Sequence, residues 1–178
     1  MELLIIVICI FVLVFVPSKK QRHARRMRRT VPVFYRGSMR DMNAASVQRC
    51  IEIALDSHRI LTTTSKVDVA LTRFELMIDE CKTAHYAARK LGIDISRQII
   101  EIATMSEADR IDLIRQILER TLSITLMEAR ALKTTQGQSN RIAKYFTTLG
   151  TLNHKIPEEL HPWINAKAAE HNVDFRMP

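Results

Sequence analysis

The stretch Ser65–Gly92, SKVDVALTRFELMIDECKTAHYAARKLG, decides the fold. Val67, Leu71, Phe74, Ile78, Cys81, His85 and Ala88 recur along it at steps of three and four. Ala70, Met77, Ala84 and Leu91 widen the same stripe. A helix of 3.6 residues per turn puts all of these on one face, whereas a strand would divide them between two. Ser65-x-x-Asp68 reads as a capping box at the start, and Gly92 as a left-handed cap at the end. The stretch is therefore a helix that must bury one side.

The same period extends in both directions. From Ser38, opened by Ser38-x-x-Asp41, a helix runs to about Leu61 with Val47, Ile51, Ala54, His58 and Leu61 on one face. Only Thr62–Ser65 separates it from the next helix, so the two pack antiparallel. A short helical piece is expected around Ser96–Thr104. Ser106-x-x-Asp109 then opens a long helix to about Lys133, with Ile111, Ile114, Leu118, Leu122, Thr125, Ala129 and Leu132 inward. Thr134–Gln138 breaks it. Ser139 or Asn140 caps a further helix carrying Ile142, Tyr145, Phe146 and Leu149, and a last helix follows Pro157 in its first turn. Trp163 is expected to anchor that last helix. No segment alternates at period two. Four Gly and five Pro in 178 residues are too few for the turns of a sandwich or barrel. The fold class is all-α: a bundle of antiparallel long helices with an N-terminal single transmembrane helix.

The transmembrane helix is expected in the fourteen residues Leu3, Leu4, Ile5, Ile6, Val7, Ile8, Cys9, Ile10, Phe11, Val12, Leu13, Val14, Phe15 and Val16, which carry no charged or strongly polar side chain. As a helix they span about 21 Å, against a hydrocarbon core of about 30 Å. Snorkelling of Lys19 and Lys20 or local bilayer thinning closes the gap. A signal peptide places its positive charges before the apolar run; here they follow it, and no small-x-small cleavage site appears. A core helix would not be apolar on every face.

The net charge of +8 is local. Residues 1–40 hold nine Lys/Arg and one acid; the other eighteen cations and eighteen acids cancel in residues 41–178. Seven of the nine, Lys19, Lys20, Arg22, Arg25, Arg26, Arg28 and Arg29, immediately follow the apolar run. Basic residues beside a span stay cytoplasmic, so the expected topology is N-terminus outside and C-terminal domain in the cytoplasm of a bacterial inner membrane. These seven are expected to contact anionic lipid. The competing reading is nucleic-acid binding, but the stretch has no interleaved aromatics. The organisation is an anchor at 1–17, a basic connector at 18–37, a helical bundle at 38–172 and a tail at 173–178.

Chemistry is sparse. Cys9, Cys50 and Cys81 are too scattered for a zinc or disulfide framework and suit a reducing compartment. The six histidines form no i,i+4 pair and no HExxH, and there is no nucleophile elbow or phosphate-cradling loop. No catalytic residue, cofactor or metal is expected. Lys133, Asn140, Arg141 and Lys144 around Gly137 form a candidate anion site if the helix that follows presents free N–H groups. The plainer account makes Lys133 a dipole partner, Gly137 and Asn140 caps, and Arg141 half of an ion pair. Arg73 and Arg120 are expected to pair with Glu75, Glu80 or Glu119 and fix helix register.

Ala70–Glu80, Leu113–Leu149 and the distance between them resemble an uncharacterised all-helical domain that recurs in bacterial and phage proteins. Its pattern is matched at Thr72-Arg73-Phe74-Glu75, at Leu118-Glu119-Arg120, at Leu132-Lys133-Thr134-Thr135-Gln136-Gly137-Gln138-Ser139-Asn140-Arg141-Ile142 and at Tyr145-Phe146. Gln136 stands where a basic residue is common, and TSKVDVA replaces the usual lead-in. The resemblance spans roughly residues 57–160 and implies a helical fold without an activity. The expected function is a membrane-anchored interaction or scaffold protein that is not an enzyme. Its partners would be membrane lipid and a protein or a second copy. A tethered nucleic-acid or anionic-ligand module is the alternative.

Overall fold

Asn43 opens the first helix because its side chain replaces a missing backbone partner. Its Oδ1 accepts from the Ser46 N–H at 3.0 Å. The helix, α1, spans Ala44–Thr63. The computed structural model describes residues 42–177, so the expected start at Ser38 and Asp41 lies outside the described residues. Three residues later α2 runs over Val67–Leu91. Ser65 does not cap it. Lys66 stands at that position without a side-chain bond, and its N–H is taken by the Thr64 hydroxyl at 3.2 Å. Thr64 turns the linker, which removes the need for the expected box. So short a link makes α1 and α2 an antiparallel hairpin in close contact along its length.

At the far end α2 closes as expected. Gly92 adopts φ +65°, and the Ile93 N–H reaches back to Ala88 O at 3.0 Å. The short α3, Arg97–Ala103, packs on α2. Ser106 then accepts from the Asp109 N–H at 3.1 Å and donates to its carboxylate at 2.6 Å, opening α4, Glu107–Arg130. α5 follows at Thr135–Thr151, then two single 3₁₀ turns at Asn153–Lys155 and Glu158–Leu160, then α6 at His161–Glu170. There is no strand among the described residues.

The core forms around α2, which touches α1, α3, α4 and α5. Phe74, Leu71, Ile114, Leu118, Phe146, Leu149 and Ile164 are its largest fully buried side chains. Most of the expected inward residues are buried, with Ile51, His58, His85, Ile111 and Ile142 half-buried at its margin. Leu91 and Leu132 are not inward: they are 43% and 42% exposed. Both stand at or past a helix end, beyond the neighbours that would cover them. Ser57, Thr121 and Ala87 are buried without having been expected.

Three further expectations change. α4 ends at Arg130 rather than near Lys133. α5 begins earlier than Ser139, because Thr134 Oγ1 accepts from the Gly137 N–H at 3.1 Å. Gly137 thus lies in the first turn of α5, and Asn140 in the second. The proline in the first turn of α6 is Pro162; Pro157 precedes a 3₁₀ turn instead.

The chain beyond 172 belongs to the bundle. Asn172 takes φ 54°, a left-handed conformation asparagine tolerates, and the Val173 N–H bonds Ala168 O at 3.0 Å. That cap reverses the chain over the core. Met177 is buried and its N–H donates to Asn165 Oδ1 at 2.6 Å. Phe175 lies 5.9 Å from the Phe146 ring and directly over Gly150, where a Cβ would stand 3.0 Å from the Phe175 ring.

Candidate functional site

The candidate anion turn joins α4 to α5. Arg141 donates to the Glu128 carboxylate across the turn. Asn140 Oδ1 accepts from Gln136 Nε2 at 2.8 Å, so it neither caps α5 nor faces its first N–H groups. The cap hydroxyl of Thr134 takes the Gly137 N–H, and Gln138 Nε2 returns to Leu132 O at 3.0 Å. Lys133 and Lys144 are exposed. Of the four residues, one is neutralised by an acid, one is bonded within its own helix, and two carry charge in solvent. The polar groups here hold the α4–α5 corner.

Arg120 departs from expectation. It pairs with no carboxylate among the described residues. Its guanidinium donates instead to Leu61 O and Thr62 O at the C-terminus of α1. Those carbonyls have no helical partner, and a cation there also meets the negative end of the helix dipole. Burial pulls the Arg120 pKa below its ordinary value. Arg73 is half-buried, and no acid among the described residues pairs with it. Glu75 pairs with Lys155 at 2.7 Å, and Lys155 also donates to Thr72 at 3.2 Å. Glu119 pairs with Arg115, which lies over the Trp163 ring at 5.9 Å. Trp163 packs against the core from α6, as expected.

Sequence reading missed Lys155. A lone lysine in a short 3₁₀ turn carries no periodic signal, and its partners are some eighty positions upstream. Tyr145 was expected as core, but its polar bond was not. Its hydroxyl donates to Leu118 O at 2.8 Å and lies 3.2 Å from Thr121 Oγ1. Burial pushes its pKa well up.

Cys50 and Cys81 are free thiols. Burial, reinforced for Cys50 by a hydrogen bond with Glu80, pushes each up to about 12. A thiolate is the reactive form, so neither is poised as a nucleophile at neutral pH. His58 is held below its ordinary value by burial. No group of three or more His, Cys, Asp or Glu could hold a metal ion among the described residues. No helix among them is long and apolar enough to cross a membrane; Leu3–Val16 and Lys19–Arg29 lie outside the described residues. No family model, curated protein or solved structure matches this chain.

Proposed function

We propose that this protein is a single-pass membrane scaffold. Residues 1–17 anchor it in a bacterial inner membrane with the N-terminus outside, and the helical domain works in the cytoplasm as a non-enzymatic interaction module. The observation that carries the reading is the abrupt junction between Leu3–Val16 and the seven cations of Lys19–Arg29, ahead of a domain whose own charges cancel. The domain's polar side chains support it further. Arg120, Lys155, Arg141 and Tyr145 are engaged in bonds that hold helices together rather than gathered around a cleft. Exposed Leu55 and Met127 offer apolar contact on helix surfaces. Tethering raises the effective concentration of a partner at the same membrane without any new contact.

Fractionation combined with a reporter fused after Pro178 tests this. The full chain is expected in the membrane fraction with the reporter active in the cytoplasm. A chain lacking residues 1–17 is expected in the soluble fraction. A full-length chain recovered as soluble protein, or a reporter active only in the periplasm, overturns the reading.

A further inference from the structure

α2 ends in an exposed ridge that the fold leaves uncovered. Tyr86 is 47% exposed and Leu91 43%, while Lys82, Arg89 and Lys90 are exposed around them. Lys90 Nζ stands 5.0 Å from the Tyr86 ring centroid. The neighbouring exposed acids are Asp79, one turn up the helix, and Asp94, in the loop beyond Gly92. Three cations against one acid on this helical stretch make it locally basic in a domain that is neutral overall. An aromatic ring with a polar tip, an aliphatic side chain and basic residues form the mixture that suits a membrane–water interface.

The hairpin decides where the ridge faces. α1 and α2 are antiparallel, so the last turn of α2 lies at the same end of the domain as Ala44, the first residue of α1. That is the end at which the chain arrives from its basic connector. We infer that the Tyr86–Leu91 ridge is a membrane-contacting surface that rests on anionic phospholipid headgroups and orients the domain against its own bilayer. The inference rests on the anchor reading above, because it needs the domain held near a membrane. Charge complementarity selects lipid of negative charge: each basic residue near such a surface adds attraction, and Tyr86 and Leu91 add apolar contact.

The test uses the full chain reconstituted into vesicles of phosphatidylcholine, with or without phosphatidylglycerol. Tyr86→Trp places a fluorescent reporter on the ridge, and the unaltered chain, with Trp163 as its single tryptophan, supplies the background signal. Lipid spin-labelled at the headgroup is expected to quench the introduced indole only when phosphatidylglycerol is present, and raised salt should relieve it. In R89Q/K90Q the ratio of docked to undocked ridge should fall on the order of tenfold. Both side chains are exposed, and unchanged far-UV circular dichroism will confirm the fold.

Flotation of the same samples separates the two readings. A chain that floats with both vesicle types while the indole escapes quenching overturns the surface and leaves the anchor standing. A chain that floats only with phosphatidylglycerol, and whose flotation and quenching both fail in R89Q/K90Q, supports the surface and removes the anchor. Flotation with neither removes both. Crosslinking of the unquenched ridge to a second copy also overturns the inference in favour of self-association.

Discussion

The Arg120 guanidinium holds two carbonyls that α1 leaves bare, from a position 58 residues further along the chain. Arg120→Met should therefore lower stability by about 2 kcal/mol, read as a shifted urea midpoint. Arg120→Lys should recover only part of this, because an ammonium lacks the planar fork that reaches both oxygens. Ser57 carries the opposite lesson. It is fully buried, and its hydroxyl has no hydrogen-bond partner. Ser57→Ala removes an unmet polar group for little lost volume, so its denaturation midpoint should equal or exceed that of the parent. His58 ties stability to pH. Burial lowers its folded pKa, so the unfolded chain binds more protons between that lowered value and the ordinary value near 6.5. Stability is complete above that window and is lost as pH falls through it. Urea titrations at stepped pH should show the slope, and His58→Gln should flatten it.

At the scale of elements, caps and periodicity were legible where the deciding bonds are local. Ser106 caps α4 through a residue three positions away, and Gly92 ends α2 through its own backbone. Ser106→Ala should cost about 1 kcal/mol in thermal or chemical unfolding, with the midpoint as the readout. Ser65 and Asn140 were misread for one reason: a competing hydroxyl nearer the turn reached the N–H first. Thr64 took that role before α2 and Thr134 before α5. Propensity ranks such residues almost equally, and the path of the linker chooses between them. The buried faces of α2 and α4 were visible because an apolar stripe needs no knowledge of what covers it. Leu132 fell outside its stripe because α4 stops two residues sooner, at Arg130. The cations and acids of the α4–α5 corner were visible as residue types. Their pairing was not, since Arg141 meets Glu128 only after the chain has turned.

For the molecule as a whole, the chain after α6 is the clearest test of integrity. Truncation after Asn172 should destabilise the bundle by about 3 kcal/mol, measured by urea denaturation, because it uncovers what Met177 and Phe175 now bury. The residues alone determined that this chain is helical, where its apolar faces lie and that its positive charge is concentrated before residue 41. Those properties arise from contacts three and four positions apart and from composition, so they need no fold to express them. Tertiary structure alone decided that Arg120 caps a distant helix, that Lys155 meets Glu75, that Phe175 lies over Gly150 and that the α2 ridge stays bare. Each depends on which elements meet and at what register. Periodicity says which side of a helix must be covered, while the turns and the packing of α2 settle what covers it.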